Sequence, residues 1–218
     1  MAAFDFGVKV DPQLFDPQLN ASVNLHIQDY IKQGWEMFKE HIGEFVGFTL
    51  LIFVISAVSS KLGFVGPFLS SAVNSSLFAG FVIVAFKLLS GKSFQFGDFF
   101  NGFNYFLPLF LAGLAVGFLV SIGMVLLIIP GIYLAVGYMF TPFLVIDYRM
   151  EFWQAMETSR KIISKNWFTF FVFSLALFAL NLVGLLAFGV GLLVTFPVSA
   201  CAAAIAYKEV IGLYSTEW

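Results

Sequence analysis

The residues able to do covalent or metal chemistry are few in this chain, and they are scattered. Its single cysteine, Cys201, sits among Ala200, Ala202, Ala203 and Ala204, with no histidine near it in sequence. One cysteine excludes an internal disulfide and any cysteine-based metal cluster. The two histidines, His26 and His41, are too few for a multi-histidine site. Glu36, Glu40 and Glu44 run at helical spacing beside His41, but a solvated helix face explains that pattern better than a metal site. No GxGxxG, phosphate-binding glycine loop or HExxH occurs. The expectation is therefore no catalytic residue, no metal and no cofactor. An enzyme would have to work through His41 with Glu44, a poor pair.

Two other sets of side chains could act on a ligand. Ser70, Ser71, Asn74, Ser75 and Ser76 form a polar patch in an apolar stretch, and Ser174 and Asn181 lie in another. Polar groups in hydrocarbon bond across helices, so Ser71, Asn74, Ser75 and Asn181 read as helix glue or as a polar path for a solute. Arg160, Lys161 and Lys165 cluster on one charged segment and could meet anionic headgroups, each adding about 1 kcal/mol near a charged leaflet. The same cluster also serves the basic bias that sets membrane topology.

Composition says what holds these residues. Of 218 residues, 60% are hydrophobic and only 11% charged, and mean hydropathy is +0.94. A soluble domain carries about 25% charged residues to keep its surface wet. Half that supply suits a surface facing lipid, as do the 30 phenylalanines. A net charge of −2 gives no drive toward nucleic acid.

Spanning about 30 Å of hydrocarbon takes about 20 apolar residues. Uncharged runs extend from Glu44 to Lys61, Lys61 to Lys87, Asp98 to Asp147 and Lys165 to Lys208. The last two are long enough for two spans each, with turns at Pro130-Gly131 and at Gly189 and Gly191. The expectation is an all-α polytopic membrane protein of six spans: 44–60, 66–88, 107–129, 131–147, 168–188 and 191–208. They pair as hairpins over about 44–88, 107–147 and 168–208. A re-entrant first segment is the alternative, since its uncharged run is short. Pro108, Pro142 and Pro197 read as kinks or helix starts.

Lys9, Lys32, Lys39, Lys87, Lys92, Arg149, Arg160, Lys161, Lys165 and Lys208 fall on one side of this layout, and Lys61 alone on the other. That bias puts the first side, with both termini, in the cytoplasm. Residues 1–22 lack a signal-peptide pattern and read as an irregular tail, because the repeated Asp-Pro-Gln-Leu at 11–14 and 16–19 restricts helix formation. Residues 23–218 form one transmembrane domain.

Each hairpin follows a short stretch of helical apolar spacing. Ile27, Tyr30, Ile31, Trp35, Phe38 and Ile42 share a face in the first. Phe96, Phe99, Phe100 and Phe103 do so in the second, and Phe152, Trp153, Met156, Ile163 and Trp167 in the third. The pattern predicts three amphipathic helices lying in the interface, apolar side toward lipid. The unit of interfacial helix, span, turn and span is thus repeated three times in parallel. Small residues recur four apart at Gly113, Gly117 and Ser121, at Ser71, Ser75 and Ala79, at Ala72, Ser76 and Gly80, and at Gly43 and Gly47. They read as packing inside the bundle, with a homo-oligomer seam as the alternative.

The stretch from Ile129, Pro130 and Gly131 through Pro142 and Asp147, then Ala155, Ser159 and Lys165 to Trp167, resembles a broad set of small bacterial membrane proteins. It is similar to the transmembrane domain beside glycerophosphoryl diester phosphodiesterases and to related stand-alone families. The likeness runs over about residues 30–210 and implies a bacterial inner-membrane location. The hydrolase domain of those enzymes has no counterpart in the residues here, so no catalytic residue carries over. The expected function is a non-enzymatic scaffold or accessory subunit whose cytoplasmic face meets lipid headgroups or a membrane-protein partner. The alternative is a transporter or channel for a small neutral or amphipathic solute.

Overall fold

The computed structural model describes residues 6–21, 23–59, 61 and 66–215, with side chains undescribed at 20 and 66–72. It is all-helical: no strand occurs among the described residues, apart from an isolated bridge between Val8 and Met150. A 3-10 turn, Pro12–Phe15, leads into α1 (Asp16–Asn20), α2 (Ile27–Glu40), α3 (Ile42–Ser59) and α4 (Gly66–Leu89). A 3-10 segment, Phe96–Tyr105, precedes α5 (Phe106–Leu126), α6 (Ile128–Gly137) and α7 (Thr141–Tyr148). The chain ends with α8 (Phe152–Lys165), α9 (Trp167–Leu186) and α10 (Leu192–Val210). Among the described residues five segments are long and apolar enough to cross a membrane: α3, Phe96–Leu126, Ile128–Tyr148, α9 and α10. They mark a multi-pass membrane protein by length and composition. In α4 the apolar stretch, Val73–Leu89, is shorter.

The helices divide into inner and outer sets. In α10, 56% of the apolar window is buried, against 17% in α9. The inner helices α4, α7 and α10 meet at three rings, Phe86, Phe143 and Tyr207. Their centroids lie 6.1 Å apart for Phe86–Phe143 and 5.4 Å apart for each pair with Tyr207. Lipid tails are as apolar as these rings, so burial from water does not drive this contact; close packing and ring geometry do, at about 0.5–1.5 kcal/mol per pair.

Around this centre the three segments expected to be interfacial helices pack against the longer helices. A methyl group at Gly34 of α2 would sit 2.9 Å from the Val198 carbonyl oxygen and 3.0 Å from the Ala202 nitrogen of α10. One at Gly102 in the 3-10 segment would lie 2.0 Å from the Ser76 carbonyl oxygen of α4. Ser159 of α8, fully buried, donates to the Gly137 carbonyl oxygen (2.8 Å) and accepts from the Phe140 N–H (3.1 Å). At Gly34 and Gly102 backbone meets backbone, which a larger side chain prevents, and at Ser159 a short hydroxyl side chain bonds the neighbouring backbone. Trp35 and Trp153 do stay exposed at the surface.

The second of these segments differs most from expectation. As a 3-10 helix with three residues per turn, it buries Phe99, Gly102 and Tyr105, while Phe96, Phe100 and Phe103 face outward. Its start is held by Asp98, which accepts from the Gln95 N–H (2.8 Å) and pairs with Lys87 (2.8 Å). The turn expected at Pro130-Gly131 falls earlier, at the extended residue Leu127, and both residues sit inside α6. Gly131 is kept small by Gly123, whose added methyl would approach it to 2.9 Å. The other turn does use Gly189, at φ +76°. Pro142 opens α7 after a break at 138–140, and Pro197 lies within α10.

Where an irregular tail over residues 1–22 was expected, the described part holds two short helices, Pro12–Phe15 and Asp16–Asn20. Each Asp-Pro-Gln-Leu starts a short helix rather than breaking one, since proline fits the first helical turn. Phe15 is buried against Tyr148, and the Gln154 side chain holds Val10 through both its backbone N–H and its carbonyl. Gln18 reaches the Ile211 carbonyl (3.1 Å), tying the N-terminal segment to the end of α10.

Candidate functional site

The sequence-predicted cations converge. Along α8, Arg160, Lys161, Ser164 and Lys165 line one groove of about 630 Å³, faced by Tyr133 of α6 and by Asp16 and Leu19 of α1. The amphipathic pattern of α8 explains this: Ala155, Ser159, Ile162 and Ile163 turn inward, which leaves 160, 161, 164 and 165 to the rim. The floor is rigid. Tyr133 and Ser164 share a 2.6 Å hydrogen bond, and the Trp167 ring stacks on Tyr133 while its Nε1 donates to the Tyr133 carbonyl (3.2 Å).

Charge in the groove is uneven. Arg160 makes a forked pair with Glu157 (2.9 and 3.3 Å), and that hydrogen bond holds its guanidinium above the ordinary arginine range. Lys161 and Lys165 are exposed and have no ion-pair partner among the described residues. Asp16 supplies one carboxylate across the groove. Two free ammonium groups beside two hydroxyls suit an anion with several acceptor oxygens.

The polar-path residues do not come together. Asn74 and Ser75 line a cavity of about 670 Å³ between α3, α4, α5 and α7, where Asn74 accepts from the Ser56 hydroxyl (3.2 Å). Asn181 instead donates to the Ser199 hydroxyl (2.7 Å) and the Leu177 carbonyl (2.9 Å) within the α9–α10 pair. The side chain of Ser71 lies outside the described residues. Both asparagines thus bond across neighbouring helices, and Asn74 also faces open space. Of the other candidates, Cys201 is fully buried, and His41 packs edge-on against Phe94 at 4.9 Å. Among the described residues no three His, Cys, Asp or Glu side chains are placed to hold a metal.

One functional group escaped the residue-by-residue reading. Asp147, 1% exposed, accepts from the Tyr207 hydroxyl (3.0 Å), the Tyr214 N–H (3.0 Å) and the Ser215 N–H (2.9 Å). It pins the segment after α10 to the end of α7. The signal available was its place as the sole acid closing a 48-residue uncharged run, which marked a span end but not a clasp.

No family model, no curated protein and no solved structure matches this chain.

Proposed function

We propose that the chain is a non-enzymatic bacterial inner-membrane protein of six spans, arranged as three hairpins with both termini cytoplasmic, that binds anionic lipid headgroups along α8. The observation that carries the binding reading is the convergence of Lys161, Lys165 and Arg160 on one groove with the Tyr133 and Ser164 hydroxyls. The basic bias orients that groove toward the cytoplasmic leaflet, where anionic lipid is concentrated. The sixth span is α4, whose 24 residues cover about 36 Å at 1.5 Å each. The cyclic packing supports the threefold repeat: α2 rests on α10, the 3-10 segment on α4, and α8 on α6 and α7. Each segment before a hairpin thereby rests on the second helix of the preceding one, with the ring closed by α2. In this reading the three segments lie at the cytoplasmic face, wedged into the bundle. The suggested likeness to the membrane domain beside phosphodiesterases fits a module that holds lipid and leaves the chemistry elsewhere. A scaffold role follows if the bound headgroup or the ordered N-terminal segment recruits a partner.

The test is native mass spectrometry of the protein in nanodiscs containing phosphatidylglycerol or phosphatidylcholine. Wild type should retain phosphatidylglycerol preferentially. Replacing both lysines by glutamine should weaken that retention by roughly thirtyfold, from about 1 kcal/mol for each. Equal retention of both lipids, or no effect of the double variant, would overturn the reading.

A further inference from the structure

The cavity between α3, α4, α5 and α7 is not used by the headgroup reading, and its chemistry differs. Its walls are mostly apolar, from Ile52, Phe78, Ala112 and Val116, and no charged residue lines it among the described residues. A volume of about 670 Å³ falls in the range of pockets that enclose a small organic ligand, roughly 300–1,000 Å³. Asn74 lies 13 residues before Lys87 in α4, so its part of the wall is about 20 Å along the helix from the ion pair of Lys87 with Asp98. That depth is inside the hydrocarbon region of a bilayer about 30 Å thick. The mouth is lateral: Phe53 of α3 and Gly113 of α5 line the cavity and are exposed on the apolar surface.

Two polar features point to what fills it. Thr141, at the start of α7, lines the cavity and is 2% exposed, yet its hydroxyl oxygen has no hydrogen-bond partner. A buried unpaired hydroxyl is costly, and the break before α7 removes the usual carbonyl one turn back. Asn74, which lines the same cavity from α4, bonds Ser56 through its carbonyl oxygen, and its amide nitrogen carries two further donors. Water filling the whole space would find no partners along the walls of Ile52, Phe78, Ala112 and Val116, away from the polar groups. A charged headgroup has no counter-charge there. We infer that this cavity binds a neutral single-chain amphiphile that enters sideways from the bilayer, with its hydroxyl head at Thr141 and Asn74 and its chain toward Gly113.

Photolabelling in phosphatidylcholine nanodiscs tests this, with a hexadecanol carrying a chain diazirine as probe and the matching hexadecanoate and hexadecyl-trimethylammonium as charged controls. Peptide mapping should place the alcohol's label on the walls around residues 52–56 and 112–116, at least about tenfold above either charged probe, as expected for an uncompensated buried charge. At Gly113 an added Cβ meets nothing within 4 Å, so the helix backbone there accepts a side chain, and the ring of Gly113→Phe at the cavity mouth should abolish the wall label. Thr141→Val keeps the shape, removes the hydroxyl, and should lower occupancy roughly fivefold. Replacing Lys161 and Lys165 should leave this labelling unchanged, which separates it from the headgroup site. Label spread evenly over the lipid-facing helices, equal label from the charged probes, or wall label that survives Gly113→Phe would overturn the inference.

Discussion

Replacing Asp147 by Asn is the sharpest perturbation of the fold. The side chain keeps its shape, but one carboxylate oxygen becomes an NH₂ group. Among the described residues Asp147 accepts from the Tyr207 hydroxyl and the Tyr214 and Ser215 N–H groups, at 2.9–3.0 Å. Hydrogen bonds to a charged group contribute about 1.5–3 kcal/mol, against 0.5–1.5 for neutral ones. The variant loses the charge on all three bonds and sets its NH₂ against at least one donor, for a cost of about 3–5 kcal/mol. In a chain of this length each kcal/mol shifts melting by roughly 2–4 °C, so the fall should be on the order of 10 °C. The assay is built in: Cys201 is the sole thiol and fully buried, so a fluorogenic maleimide reports unfolding in detergent. Carboxypeptidase should also trim past residue 212 faster, because the tail is released. Melting within about 2 °C of wild type, with unchanged trimming, would refute the claim that Asp147 clasps the tail.

Other substitutions read the packing. Gly34→Val should destabilise by about 1–3 kcal/mol, because its neighbours are the backbone of Val198 and Ala202 and cannot move aside. Gly113→Ala meets open space and should be neutral or up to about 1 kcal/mol stabilising by helix propensity; the two melts form a matched pair. Ser159→Ala strands the Gly137 carbonyl and the Phe140 N–H in a buried site, for about 2–4 kcal/mol in the same assay. Gln154→Ala frees Val10, and limited proteolysis should then cut the N-terminal segment near residues 6–12 while melting changes little.

The ends of the apolar helices were legible because charge and its absence are enforced by the solvent on either side. Lys87, Asp98, Asp147 and Lys208 all fall at or near helix ends. What lay below that signal was the small-residue part of the face each amphipathic segment buries, while Tyr30 and Phe38 of α2 and Met156 and Ile163 of α8 were on the expected faces. In the second segment apolar periodicity pointed to Phe96, Phe99, Phe100 and Phe103; of these only Phe99 is buried, together with Gly102 and Tyr105. Hydropathy cannot separate protein from lipid as a neighbour, since both are apolar. Small residues carry that distinction, and Gly34, Gly102 and Ser159 were the informative positions. The cation groove was legible as a cluster on one helix, but Tyr133, Ser164 and Asp16 join it only through tertiary contacts. The Asn74 cavity is lined by Tyr138, Thr141 and Pro142 at the helix break, which one proline signalled without locating the space beside it.

The measurement closest to the central claim asks whether α4 crosses the membrane, because the side on which the α8 groove lies depends on it. With Cys201 replaced by alanine, single cysteines at Lys61 and Lys92, exposed residues in the segments before and after α4, would be labelled in intact cells by an impermeant maleimide. The account predicts labelling at 61 from outside, and at 92 only after the cells are opened. Labelling of both from the same side would contradict the six-span arrangement, and labelling of 92 alone from outside would contradict its orientation; either result would overturn the cytoplasmic headgroup site.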